Sequence, residues 1–307
     1  MGLEKHFTNK GKNIPSIIAA FFLASLLSTC PVDATKPTTK YKIPLISYAT
    51  SRINSQIAVM NEDGSDFQEI TSDSPEKNYP RLSPDRDKII FELHKRNGTD
   101  ISTLYTINFD GSELTELVGS SEATNPSWSS QDKIAFVAQW GLKLIYLADL
   151  DFSSRERLTT TQISEYTPSF SPDGNDLVYS SAYKDIVKIN LASREKTILV
   201  LGDNNTTNAE PEFSSDGKKI AFASYIYSSG KLVDVDICVY DVNSSNIEKI
   251  IYPDSIERSP HFSKDGSKIL FSSNADGTYQ IYSVSVDGSE KKQLTQGPNN
   301  HTFGYYR

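Results

Sequence analysis

Pro168-Ser169-Phe170-Ser171-Pro172-Asp173-Gly174 is a phrase that recurs, with variation, five times along the chain. The other copies are Pro80-Arg81-Leu82-Ser83-Pro84-Asp85, Pro126-Ser127-Trp128-Ser129-Ser130-Gln131-Asp132, Pro211-Glu212-Phe213-Ser214-Ser215-Asp216-Gly217 and Pro260-His261-Phe262-Ser263-Lys264-Asp265-Gly266. Their first prolines are 46, 42, 43 and 49 residues apart. Self-similarity at such a period marks an array of one supersecondary unit. Asp-Gly supplies a side-chain acceptor and then a residue that tolerates positive φ, so each phrase reads as strand, tight turn, strand.

The rest of the unit follows from what lies behind each phrase. The runs Lys88–Phe91, Lys133–Phe136, Asp176–Tyr179, Lys219–Phe222 and Lys268–Phe271 predict second strands. Leu104–Asn108, Leu144–Ala148, Ile186–Asn190, Ile237–Asp241 and Gln280–Ser285 predict third strands. Several third strands lead to another Asp-Gly turn, as at Asp63-Gly64-Ser65, Asp110-Gly111-Ser112 and Asp287-Gly288-Ser289, and fourth strands are expected near Leu117, Leu158, Ile198, Ile250 and Leu294. Four short antiparallel strands per repeat make a propeller blade. Residues 41–71 carry strands two to four of a further blade without a leading phrase, and Thr302–Tyr306 supply the missing first strand. The fold class is therefore all-β: a six-bladed propeller of four-stranded antiparallel blades, closed by pairing the N- and C-terminal strands so that no sheet edge faces the ring.

The Pro-x-aromatic-Ser-x-Asp-Gly phrase, with Leu158-Thr159 or Leu294-Thr295 ending a blade, resembles the TolB-type propeller repeat, over roughly residues 41–307. It lacks the Gly-His and Trp-Asp signatures of the WD-type repeat. The resemblance implies a bacterial envelope protein, and for TolB itself contact with a peptidoglycan-associated lipoprotein of the Tol-Pal system. No counterpart of TolB's preceding α/β domain is expected here. Similar repeats occur in oligogalacturonide lyases and in prolyl-oligopeptidase-like peptidases, whose catalysis sits in a separate hydrolase domain.

Composition agrees with a packed β fold: 37% of residues are hydrophobic, with 16 Tyr and 14 Phe in 307 residues. A formal charge of −8 with no basic run removes the electrostatic footprint that nucleic acid requires. Lys5, Lys10 and Lys12 precede an apolar run from Ile14 to Leu27, which is short for a bilayer span and has the layout of a secretory signal. Two processing routes fit. Val32-Asp33-Ala34 offers small residues for cleavage after residue 34, leaving 35–40 as a linker; Leu27-Ser28-Thr29-Cys30 resembles a lipobox, with a leader of 1–29 and Cys30 lipidated. Export is expected either way, to the periplasm or to a membrane reached only through a lipid anchor. Cys238, in a strand-like run, reads as a buried inert thiol, and a disulfide framework is excluded.

Candidate binding residues fall in two sets. Loops between second and third strands differ from blade to blade, as site-bearing loops on a rigid scaffold do, and carry His94, Trp140, Tyr183, Tyr225 and Tyr227. Such aromatics suit protein or sugar contact, or pack between blades. Just before the first strands come Asn78, Tyr79, Asn125, Glu165, Tyr166, Glu210, Glu257, Arg258 and His301, expected at the channel mouth. A ring of acids and amides there suits a cation such as calcium or a basic side chain, or is plain loop polarity. No catalytic or transition-metal set is expected: there is no phosphate loop or nucleophile elbow, and the four histidines are scattered. The favoured reading is a non-catalytic scaffold binding an envelope protein or lipoprotein. The alternatives are a carbohydrate-acting lyase or hydrolase and a ligand- or ion-sensing propeller.

Overall fold

The computed structural model describes residues 42–48, 54–73, 75–95, 101–117, 119–120, 122–138, 141–182, 184–250 and 255–303. They form six four-stranded antiparallel sheets. Blade 2, from the innermost strand outward, is Glu76–Leu82, Lys88–Lys95, Ile101–Asn108 and Thr115–Glu116; blade 3 is Ala123–Trp128, Lys133–Ala138, Leu144–Asp149 and Arg155–Arg157. Blade 4 is Glu165–Phe170, Asp176–Ser181, Asp185–Asn190 and Lys196–Val200. Blade 5 is Thr206–Phe213, Lys219–Ser228, Lys231–Asp241 and Ile247–Ile250, and blade 6 is Glu257–Phe262, Lys268–Ser273, Gln280–Ser285 and Lys292–Gln293. Blade 1 joins both ends of the described chain: Asn300–Thr302 is innermost, followed by Lys42–Tyr48, Gln56–Asn61 and Gln68–Glu69.

The closing strand pairs Thr302, His301 and Asn300 with Ile46, Ser47 and Tyr48. It begins two residues before the expected Thr302, while residues 304–307 and Tyr41 lie outside the described residues. Side chains set this start. Asn300 Oδ1 accepts from the Tyr279 amide at 2.9 Å, and the His301 amide donates to the Tyr279 carbonyl at 2.7 Å. Blade 6 thus seizes the chain at Asn300, before the aromatic tail that the sequence offers as a strand.

The repeated Ser and Asp hold the turn together. Ser171, Ser214 and Ser263 each donate to Asp173, Asp216 and Asp265 at 2.6, 2.7 and 2.7 Å. The same hydroxyls accept from the amides of Asp176, Lys219 and Lys268, which open the second strands, at 2.9, 2.9 and 3.0 Å. Hydroxyl donation is the main cause that holds these carboxyls below their ordinary value, to about 2 for Asp265. The second Asp-Gly turn packs as tightly: at Gly111, with φ +82°, a Cβ would lie 2.6 Å from the Ile70 carbonyl oxygen.

Apolar residues collect between blades rather than in one central core. Six buried clusters each draw on two neighbouring blades, from Ile57, Val59, Phe91 and Ile107 at one junction round to Ile43, Met60, Leu270, Ile281 and Phe303 at the last. Closing blade 1 completes the sixth cluster, so strand pairing and burial at the seam depend on each other.

One feature is not visible in the repeat. The phrase's proline does not start the innermost strand; it sits inside it, at a bulge. Register shifts fall between Asn78 and Arg81, Thr124 and Ser127, Tyr166 and Ser169, Ala209 and Glu212, and Arg258 and His261. The residue before each proline, Tyr79, Asn125, Thr167, Glu210 or Ser259, has φ between 48° and 59°. A proline has no N–H for the ladder and is accommodated at a bulge, and the bulge re-aims the side chains beside it.

Candidate binding site in the propeller channel

The residue after each proline is Arg81, Ser127, Ser169, Glu212 or His261, and all five line one cavity of about 260 Å³. Trp128, Phe170, Phe213, Phe262 and Phe303 also line it, and Ser83, Pro84 and Arg86 place it toward the inner Asp-Gly turns. Because innermost strands from several blades supply these side chains, the cavity lies in the ring's channel.

Its charge is concentrated on one side. Glu212 of blade 5 accepts from His261 Nδ1 of blade 6, with both side chains largely buried. Burial pushes the Glu212 carboxyl up, but His261 and Arg81 outweigh it and hold the group below its ordinary value. Arg81 donates to the Pro80 carbonyl at 3.0 Å and the Phe303 carbonyl at 3.5 Å. The Phe303 ring meets His261 edge-on at 4.6 Å. His261 Nε2 and Trp128 Nε1 are buried and have no hydrogen-bond partner among the described residues, a costly condition for polar atoms.

The residues singled out before the first strands lie within those strands and separate into groups. Glu210 faces Arg81 and joins Tyr225 and Arg258: the Tyr225 hydroxyl donates to Glu210 at 3.1 Å, the Ser259 amide donates to it at 2.7 Å, and the Arg258 guanidinium lies 5.5 Å from the Tyr225 ring centre. Burial raises the Glu210 carboxyl, opposed by the Ser259 amide and Arg258. Tyr79 and Asn125 occupy equivalent bulge positions. Glu165, Glu257 and His301 lie buried under their own blades. Glu165 is 3.6 Å from Lys196 on blade 4's outermost strand, and the Glu257 carboxylate accepts from Ser255 and, at 3.0 Å, from Ser273. His301 packs on Phe67 at 5.0 Å, and burial lowers its pKa.

Tyr166 lies 5.2 Å from the Lys143 ammonium of the preceding blade. Asn78 donates to Glu76 at 3.5 Å, and His94 Nδ1 is 3.0 Å from Ser102 Oγ beside the buried Glu92. Burial raises the Glu92 carboxyl, which accepts from the Ser102 and Thr124 hydroxyls. Tyr227 pairs with Leu232 on the long hairpin of blade 5. Trp140 and Tyr183, like Cys30, fall outside the described residues. Cys238 is buried, and burial pushes its thiol up to about 12.

Among the described residues, no three of His, Cys, Asp and Glu are placed to share a metal ion, and no helix is long and apolar enough to cross a membrane. Arg81, Glu212 and His261 were not selected from the sequence as site residues. The available signal is variation: Pro, a large apolar residue (Leu82 or an aromatic) and Ser repeat from copy to copy, whereas the residue between the first two changes from Arg to Ser, Glu and His.

A closed ring of six blades whose innermost strands bring Arg81, Ser127, Ser169, Glu212 and His261 to one cavity defines a propeller with its chemistry in the channel. The family model for the TolB beta propeller domain matches residues 43–200, 104–232 and 190–304, so the chain belongs to that family. Among solved structures it is similar to TolB from Acinetobacter baumannii, with 20% identity and a TM-score of 0.73 over 86% of this chain and 66% of that one. A structure from Agrobacterium tumefaciens assigned as TolB gives 20% identity and 0.66, over 85% and 91% of the two chains. Hydrazine synthase from Kuenenia stuttgartiensis shares the fold at 13% identity and 0.69, over 86% of this chain and 46% of its own.

Proposed function

We propose that the protein is an exported, non-enzymatic scaffold that holds a segment of another envelope protein at its channel, with Arg81, Glu212, His261 and Trp128 as contacts. The observation that carries this reading is that the residue after the phrase's proline, which changes from Arg to Ser, Glu and His, lines a single cavity from five blades. A repeat preserves what the blade needs to fold. Departures from it at one axial position supply what a specific ligand needs: a fixed cation, an anion and hydroxyls, with the two unpaired N–H or N sites of Trp128 and His261 as hydrogen-bonding points. Aromatic walls with a buried charge pair are the composition of a protein-binding hot spot. Export rests on the basic and apolar leader, and the TolB relatives support an envelope setting.

Cross-linking in intact cells followed by purification tests it. The wild-type protein is expected to recover a discrete partner polypeptide, and Arg81→Glu to recover far less of it. Equal recovery by the variant, at equal protein level, refutes the assigned site.

A further inference from the structure

The channel cavity adjoins a second hollow. The two share Arg86, Glu212, Phe213 and Phe262, and the second, of about 380 Å³, also touches Ser215 and Lys264. Arg86, Ser215 and Lys264 lie in the turns that join first to second strands in blades 2, 5 and 6. The cavity therefore opens toward the Asp-Gly-turn face, opposite the face that carries the loops between second and third strands. At about 260 Å³ it falls below the range of about 300–1,000 Å³ usual for a small-molecule site. It has room for the end of a chain rather than for a loop that enters and leaves.

Donors gather along one arc of the cavity. Arg81, Ser127 and Ser169 occupy the same position on three consecutive blades, 2, 3 and 4. Both hydrogen bonds of the Arg81 guanidinium leave from Nη1. No carboxylate among the described residues lies within ion-pairing distance of it. The Ser127 hydroxyl accepts from the Phe170 amide at 3.2 Å, so its own proton is left to donate. An arginine fork beside a hydroxyl with a proton to give matches a carboxylate.

The carboxylates already in the channel are engaged elsewhere. Glu212 accepts from His261, and Glu210 accepts from the Ser259 amide at 2.7 Å and the Tyr225 hydroxyl at 3.1 Å. Of the charges that act on them, Arg258 outweighs Arg81 at Glu210, and His261 outweighs it at Glu212. Arg86 has its own carboxylate in Glu62, at 3.6 Å. Two acids thus face three basic groups, and one singly charged anion completes the set once His261 is protonated. Phe170, Phe213, Phe262 and Phe303 supply apolar wall beside it, which suits an aliphatic side chain better than the hydroxyl-rich ring of a sugar acid.

We propose that the segment held in the channel is a polypeptide C-terminus entering from the Asp-Gly-turn face, with its carboxylate on Arg81 and Ser127 and an apolar last side chain among the phenylalanines. This rests on the reading of the channel as the binding site and adds to it the chemistry of the partner and the direction of entry. An internal segment offers neutral amides where Arg81 calls for a charge. A chain end brings the charge and the small cross-section together.

Titrating the isotope-labelled protein with N-acetyl-leucine and with N-acetylleucinamide tests this. The readout is the indole N–H signal of Trp128 in the cavity wall, which Trp128→Phe assigns among the chain's two tryptophans. The acid is expected to bind about tenfold or more tightly than the amide. Arg81→Gln is expected to bring the two to one affinity, and Arg81→Lys, which keeps the charge, to retain part of the preference; unchanged melting temperatures show that both variants fold. Galacturonate and inorganic phosphate, titrated at the same ionic strength, are expected to bind more weakly than the acid. Residues 304–307 follow Phe303 and lie outside the described residues, so a chain ending at Phe303 is titrated beside the full one and is expected to match it. Equal affinity for acid and amide overturns the proposal and leaves the channel as a site for a neutral segment. Tighter binding of galacturonate or phosphate, or binding of the acid by the shortened chain alone, overturns it as well. So does a Trp128 signal that no probe moves, and the cross-linking of Arg81→Glu then judges the channel reading separately.

Discussion

Replacing His261 by Ala removes the partner of a carboxylate that the fold keeps charged in a largely buried place. The Glu212 side chain is only 24% exposed and that of His261 17%. Stripping one member from a fully buried pair costs about 3–5 kcal/mol. Residual solvent and the nearby Arg81 reduce this to about 2 kcal/mol, and with about 2–4 °C per kcal/mol for a domain of this size, the melting temperature falls by about 4–8 °C at pH 7. The sign with pH is fixed. Glu212 has a folded-state pKa below its unfolded one, so its contribution is full above about pH 4.3 and disappears as the pH falls through the lower value. The gap between wild type and His261→Ala should therefore narrow as the pH falls below about 4.3. Adding Glu212→Gln to His261→Ala should recover part of the loss, since no buried charge is then left without its partner. Thermal melts by circular dichroism from pH 3.5 to 7.5 read all of this. A variant that melts with wild type at pH 7, or a gap that stays constant across the range, refutes the reasoning.

Three further outcomes follow from other parts of the ring. Phe303→Ala empties a 3%-exposed site in the cluster that seals blade 6 to blade 1, and should cost about 3–5 kcal/mol, measured by urea unfolding. Gly111→Ala should be clearly worse than Gly288→Ala: both glycines have φ above 80°, but only at Gly111 does a Cβ strike a backbone oxygen, so Gly288→Ala should lose about 1 kcal/mol and Gly111→Ala more. Cys238, with its thiol pushed up to about 12 by burial, should resist iodoacetamide at pH 8 in the native protein and react once it is unfolded, as peptide mapping would show.

The blades were legible because their turn chemistry is local. Ser171, Asp173 and Gly174 act on one another within four residues, so the phrase names its own structure, and the Gln280–Ser285 strand could be read to the residue. The seam was legible in outline, but its register is set by Asn300 and Tyr279 across a blade junction, a contact that no local pattern announces. The channel was misplaced in detail because the innermost strands carry a bulge. Treating Pro260 as the start of a strand leaves Glu257 and Arg258 in front of it, at the mouth; with Ser259 in the left-handed region, His261 faces the channel and Glu257 turns beneath its own blade. A bulge is a property of the pair of strands, and a single-strand reading has no access to it. The charge variation at Arg81, Glu212 and His261 is written in the sequence, but the repeat marks these positions only by what it does not keep constant.

The claim that the channel is the working site is tested most directly by placing a photo-reactive amino acid at Ser169, a half-buried residue of the cavity wall, and irradiating intact cells. A control probe belongs at Thr197, exposed on the outermost strand of blade 4. The account predicts a discrete polypeptide adduct from position 169 that is lost when Arg81→Glu is added, and none of that mass from position 197. No adduct at 169, or the same adduct from both positions, would contradict it.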